Sequence, residues 1–289
     1  MSGLSVAIIA LNEEERIRAC LESVAWADEI VVVDSGSSDK TVAIAREFTD
    51  RVLFHAWTGY GAQKNFALAR CQGEWVLSLD ADERVPEALR AEIAATLAAN
   101  PAEAGFRIPR QNFFQGAWIR HGGWYPDCQL RLFRRGRGAF TGSAVHESVR
   151  VDGPVGRLRT PLVHQSYRGI EDFVARANRY SELAARELAA AGRGGSLADL
   201  LLRPAWRFLS MYVLRAGLLD GRRGLVLAVL YAHYVFLRAA KVRELRADRT
   251  SGRDGPSRDG AGAAPRAEGT RGTPPRAGGG GVGGGGGTE

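Results

Sequence analysis

The sequence is poor in the residues that staple a fold together: of 289 residues, three are cysteine and five histidine. Cys20, Cys71 and Cys128 are odd in number and show no C-x-x-C spacing, which argues against a disulfide framework or a zinc site and is compatible with a reducing compartment. The N-terminal "MSGLSVAIIALNEEERI" lacks a basic leader, and its apolar run is short and met at once by acids, so it reads as a first strand rather than a signal peptide. A cytoplasmic protein is expected. The longest uncharged apolar stretch, Gly224 to Leu237, falls short of the ~20 residues of a membrane-spanning helix. The segment "VVVDSGSSDKT" has neither a G-x-G-x-x-G nor a GK[ST] ending, so neither nucleotide-binding fingerprint applies.

What is present is a basic, ordinarily apolar chain. The net charge of +7 suits nucleic acid, anionic lipid or phosphorylated substrates without choosing among them. From Ala247 onward the residues are Gly, Arg, Pro, Asp, Ser and Thr with almost nothing apolar. Such a segment cannot offset its ordering entropy, so a disordered tail is expected over 247–289. Roughly 245 residues remain, enough for one α/β domain with an appended helical part.

Along that stretch, strands alternate with helices. "LSVAIIAL", "EIVVVD", "RVLFHAW" and "EWVLSL" read as strands. "NEEERIRACLESV", "VAIAREF" and "GAQKNFALARC" read as the helices between them, the first with acids in its opening turn. This order predicts a mostly parallel sheet flanked by helices, with ligands bound beyond the carboxyl ends of its strands. Asn12, Glu13, Asp34, Asp39, Asp80 and Asp82 all fall at or just past such ends. Asp80 and Asp82, at i and i+2 in an extended segment, can reach one hard cation, with substrate phosphates completing its shell. The plainer reading is a solvated turn, or Asp82 capping the helix that follows Pro86. Asp34 can accept from a base or a ribose hydroxyl, Asp39 can cap the next helix, and Lys64 can meet a phosphate or stand as an ordinary lysine.

Together "VAIIALNEEERI", "IVVVDSGSSDKT", "GAQKNFALARCQGEWVLSLDADE" and "RLFRRGRGAFTGSAVHESV" resemble family 2 glycosyltransferases of the GT-A fold, a Rossmann-like α/β architecture. Among these the resemblance is to bacterial lipopolysaccharide core glycosyltransferases of the WaaE/KdtX type. It implies an inverting enzyme using a nucleotide-diphospho-sugar, usually a UDP-sugar, with Mg²⁺ or Mn²⁺. Residue by residue it implies Asn12, Glu13 and Asp34 at the nucleoside, Lys64 near the diphosphate, and Asp80 and Asp82 at the metal. The acidic pair usual at the second motif is here Asp34 followed by Ser35.

An inverting transfer needs a base for the acceptor hydroxyl. In "VHESV", Glu147 is the first candidate, supported by the resemblance, and Asp127 the alternative; His146 is a candidate for metal or phosphate contact. A salt bridge from Glu147 to Arg131, Arg134 or Arg135 is the structural alternative. The cluster "RLFRRGR" suits an acceptor carrying phosphate or acidic sugars. Trp118, Trp124 and Tyr125 either stack on sugars or pack the second half of the domain.

Beyond Gly169 the pattern is helical. "IEDFVARANRYSELAARELAAAG" places Phe173, Ala177, Tyr180, Ala184 and Leu188 on one face. In the next segment Arg203, Arg207 and Arg215 share a face, with Trp206, Phe208, Leu209 and Tyr212 around much of the rest. That arrangement matches a helix lying in a membrane interface, and a buried hairpin or an oligomer contact is the alternative. The expectation is a catalytic domain over 1–168, a membrane-associating helical region over 169–246, and the tail. Its function would be transfer of a hexose, glucose foremost, from a UDP-sugar to a lipid-linked saccharide of the lipopolysaccharide inner core, at the cytoplasmic face of the inner membrane. A polyprenyl-phosphate or other envelope glycosyltransferase is the nearest alternative. A non-catalytic basic module binding membrane or nucleic acid is the distant one; the acidic rim argues against nucleic acid as a partner.

Overall fold

Four continuous apolar runs build the centre of the sheet. The computed structural model describes residues 3–141 and 148–250. Its first half runs β1 (Leu4–Ala10), α1 (Ile17–Val24), β2 (Glu29–Asp34), α2 (Thr41–Arg46), β3 (Val52–Phe54), α3 (Tyr60–Leu68), β4 (Trp75–Asp80), β5 (Glu83–Arg84) and α4 (Glu87–Ala98). Then follow β6 (Gly105–Phe114), β7 (Ala117–Trp118), β8 (Asp127–Arg134), β9 (Gly138–Thr141), β10 (Ser148–Val151), β11 (Val155–Arg157) and β12 (Leu162–Gln165). Helices α5 (Ile170–Ala190), α6 (Leu197–Leu209) and α7 (Gly221–Thr250) complete the described chain.

Strand β1 lies between β2 and β4, parallel to both, with Ile8 opposite Val32 on one side and Leu79 on the other. Its even-numbered residues Val6 and Ile8 pack with Ile17, Leu21 and Leu89 beneath α1 and α4. Ala7 faces the other way, toward Val31, Ala67, Phe133 and Phe140 beneath α3. Burial on both faces is why these strands read as unbroken apolar runs.

The sheet order is β3-β2-β1-β4-β8-β6-β12-β5, with β8 antiparallel to both β4 and β6. Only Ala81 and Asp82 separate β4 from β5 in the chain, although β8, β6 and β12 separate them in the sheet. The sheet therefore curls back on itself, and His164 on β12 pairs with Glu83 on β5 beside the end of β4. This mostly parallel, helix-flanked sheet has the GT-A architecture expected from the sequence.

Three local expectations are corrected. Helix α1 begins at Ile17 and has no acid in its first turn. The amides of Glu13 and Glu14 are instead held outside the helix by Thr41 Oγ1 and Asp39 Oδ2. The buried stripe of α5 is Phe173, Ala177, Ser181, Ala185 and Ala189, a strict four-residue step that leaves Tyr180, Ala184 and Leu188 half-buried. Helix α7 runs to Thr250, past the boundary that composition alone suggested at Ala247; residues 251–289 lie outside the described residues.

The segment Gly217–Asp248 is long and apolar enough to cross a membrane by length and composition. Here α7 packs on α5 and α6, and its Leu227 and Ala228 join Phe114, Ile119, Trp124 and Met211 in one cluster. The helical region thus shares a core with the far end of the sheet.

Candidate active site

Asp80 and Asp82 stand at the seam where the sheet curls. Asp80, the last residue of β4, accepts hydrogen bonds at 2.5 Å from Arg131 Nη2 and meets Lys64 Nζ at 2.8 Å. The same Arg131 nitrogen donates at 2.6 Å to Glu83, whose other oxygen accepts from the Asp80 amide. Burial works to raise the Asp80 pKa, but the guanidinium and the ammonium outweigh it and hold the carboxyl well below the usual carboxylate range.

Asp82 has different neighbours: Arg16 Nη1 at 3.6 Å and His164 Nε2 at 3.5 Å. The two acids do not share a partner, so their repulsion is relieved by separate protein cations. Asp82 does not cap α4, which follows Pro86 without any side-chain cap.

Around this centre the β1 and β2 loops lock together. Asn12, at φ 55°, accepts the Ser38 amide through Oδ1 and gives its own amide to Ser37. Asp34 is buried, and its carboxylate accepts from the amides of Gly36 and Ser37 and from the Ser37 hydroxyl. It shapes its own loop, which uses much of the capacity expected for a nucleoside. Asp39 is not the N-cap of α2, which is Lys40 without a side-chain cap; it accepts from the amide and hydroxyl of Thr41 from one residue before that position. Arg168, absent from the sequence reading, donates to the Asn12 carbonyl and to Glu13. Burial pushes the Glu13 carboxyl up, with Arg168 opposing it.

Asp127 faces the same seam from β8. Its oxygens accept from Arg110, from Gln129 at 2.6 Å and from Asn112 at 3.4 Å. Burial is the largest single influence and raises its pKa, but Arg110, Gln129 and Asn112 together outweigh it, so it is a weaker base than an ordinary aspartate. Glu147 and His146 lie outside the described residues.

The arginines of "RLFRRGR" do not form one anion-binding cluster: Arg131 is buried against Asp80 and Glu83, Arg134 pairs with Glu74, and Arg135 donates to the Gly73 carbonyl. Strand alternation sends Arg131 inward and its neighbours to the rim. Trp124 packs in the core against Phe114 and Tyr231, while Trp118 stacks edge-on with Tyr125.

Two bonds of Asn112 bear on whether a cation fits here. Asn112 Nδ2 donates to the Trp124 carbonyl, which fixes Asn112 Oδ1 as an acceptor. That oxygen lies 2.6 Å from His164 Nδ1, so Nδ1 carries the proton in the neutral ring. Nε2 is left with a lone pair facing Asp82. Asp82 Oδ1 and Arg16 Nη1 are moreover buried with no hydrogen-bond partner among the described residues. A carboxylate and an imidazole nitrogen turned toward each other fit a divalent cation. His164 escaped the sequence reading because β12 is an unremarkable strand, and only the curl of the sheet brings it to Asp82.

Comparisons with known proteins give the chain's family. The sequence model described as Glycosyl transferase family 2 matches residues 5–149. The lipopolysaccharide core biosynthesis glycosyltransferase LpsC of Rhizobium meliloti (strain 1021) is 36% identical over 251 residues, spanning 84% of this chain and 93% of its own. The uncharacterized glycosyltransferase RT0209 of Rickettsia typhi is 33% identical over 257 residues, 85% of this chain and 88% of its own. Among solved structures, S. aureus TarS 1–349 in complex with UDP-GlcNAc is 16% identical with a TM-score of 0.45, covering 86% of this chain and 92% of that one.

Proposed function

The chain belongs to glycosyl transferase family 2, and from that premise we propose that it moves a hexose, glucose foremost, from a UDP-sugar to a lipid-linked saccharide of the lipopolysaccharide core, with inversion. The acceptor class rests on likeness to a lipopolysaccharide core enzyme. The donor site rests on one observation: the Asp82 carboxylate turns Oδ2 toward His164 Nε2 at 3.5 Å while its Oδ1 is buried without a hydrogen-bond partner among the described residues. Mg²⁺ or Mn²⁺ held by Asp82 and His164 would supply positive charge to a leaving diphosphate. Asp80 holds Lys64 and Arg131 in place, Arg16 balances the charge of Asp82, and the locked loop of Asn12, Glu13 and Asp34 forms the nucleoside side. Glu147 takes the proton of the acceptor hydroxyl. Asp127 is the second choice, because its bonds to Arg110 lower its basicity.

The helical region, 169–246, is the membrane-facing part of this reading. Helix α6 turns Leu197, Leu201, Leu202, Trp206 and Leu209 to the outside, with Leu201 and Trp206 each 61% exposed. Insertion of such a row into the interface of the inner membrane would hold the enzyme beside a lipid-anchored acceptor.

The test is titration calorimetry of UDP into the wild type, Asp82→Ala and His164→Ala, each with Mn²⁺, with Mg²⁺ and with EDTA. Binding should require the metal in the wild type and weaken about ten-fold or more in both variants. Metal-independent binding, untouched by either substitution, would remove the proposed donor site.

A further inference from the structure

A cavity of about 400 Å³ adjoins the donor site and shares His164 with it. Four arginines line it, Arg110, Arg176, Arg207 and Arg215, against the one carboxylate of Asp127. Arg110 is spent on Asp127 and Glu83, and Arg176 is partly spent on Asp172. Among the described residues, the guanidinium groups of Arg207 and Arg215 make no hydrogen bond and no ion pair. Both residues are exposed, so each guanidinium is open to an anion that enters the cavity.

The wall that presents Arg215 is fixed from several sides. Asp220 accepts from the Arg120 and His121 amides, and the Gly122 amide donates to the Arg215 carbonyl at 2.8 Å. Gly123, at φ 84°, lies under the Arg215 side chain: a Cβ there would sit 2.5 Å from Nη1. Glycine at this position lets the guanidinium lie against the backbone at the cavity wall. Arg207 comes from α6, one residue after the outward-facing Trp206.

From these observations we infer that the cavity is an acceptor subsite in which Arg207 and Arg215 bind an anionic substituent of the acceptor sugar, a phosphate or a carboxylate. The inference rests on the family reading of the donor site. It gives the role once assigned to "RLFRRGR" to arginines of the helical region. An anion held there places a neighbouring sugar hydroxyl at the His164 side of the cavity, next to Asp82. Arginine forks suit either anion, because both present paired oxygens.

The test uses the full chain with UDP and Mn²⁺ present and titrates a delipidated lipopolysaccharide core oligosaccharide, in intact, dephosphorylated and carboxyl-reduced forms. The proteins are the wild type, R207Q/R215Q and Gly123→Ala. The double variant should bind the intact oligosaccharide about ten-fold or more weakly, with UDP affinity and thermal midpoint unchanged; Gly123→Ala should weaken it in the same direction. The oligosaccharide form that loses affinity for the wild type identifies phosphate or carboxylate as the bound group. Equal affinity of wild type and double variant for the intact oligosaccharide, with UDP still bound, would overturn the subsite and leave the family reading intact. A double variant that loses affinity only for phosphatidylglycerol vesicles would also overturn it, by moving these arginines to membrane docking. Failure of the wild type to bind UDP would instead overturn the donor-site reading, and the subsite with it.

Discussion

Asp127 and Arg110 show how single residues here serve charge balance as well as chemistry. The folded-state pKa of Asp127 is lowered, so its ion pair contributes stability that is present above the unfolded value near 4 and lost as pH falls through the folded value. Asp127→Asn should therefore cost on the order of 1.5–3 kcal/mol at neutral pH, and the cost should shrink toward pH 2.5. Thermal midpoints of both proteins between pH 7 and 2.5 check this; parallel curves would contradict it. The candidate acids were legible because strand ends are legible: Asp34 and Asp80 close apolar runs. Their partners were not, since Lys64, Arg131 and Glu83 reach Asp80 from three separate segments, and nothing in "RLFRRGR" distinguishes the inward Arg131 from the outward Arg134.

At the scale of elements, α6 carries the clearest division of labour. Its N-terminus is closed by a capping box between Ser196 and Asp199, its outer row is apolar, and Arg203 is tied to Asp199 rather than free to meet lipid. Membrane attachment should then depend more on the apolar row than on that arginine. Leu201→Glu with Trp206→Glu should lower partitioning onto phosphatidylglycerol vesicles about ten-fold or more, since each apolar side chain buried is worth ~1.5–3 kcal/mol. Flotation with and without 0.5 M salt, roughly five times the level at which screening already acts within ~10 Å, separates the two contributions. Unchanged flotation of the double variant would leave α6 as a face for something other than lipid. Sequence periodicity found α5, α6 and α7 but misplaced the α5 stripe by one residue, because alanine and serine at the α7 contact carry almost no hydropathy signal.

For the whole molecule, the proposed division at residue 168 is a division of roles across a shared core. Phe114, Ile119 and Trp124 from the sheet end are covered by Met211, Leu227 and Ala228 from the helical region. Arg168 ties the following segment back to the β1 loop. A fragment ending at residue 168 should accordingly be destabilised by several kcal/mol, at ~1.5–3 kcal/mol for each large side chain uncovered. Thermal denaturation of fragments 1–168 and 1–250 side by side measures it, and matching midpoints would show that the sheet domain is self-sufficient.

The sequence by itself determined the parallel strands β1 to β4, the helices between them and the acids at their carboxyl ends. These depend on local periodicity and on where an apolar run stops. Only the tertiary structure decided what those acids meet. The curl that carries β12 and β5 back to the end of β4 is a property of strand order, which no local pattern encodes, and it brings His164 to Asp82, while packing of the helical region on Phe114, Ile119 and Trp124 brings the arginines of α6 and the following turn to the adjoining cavity.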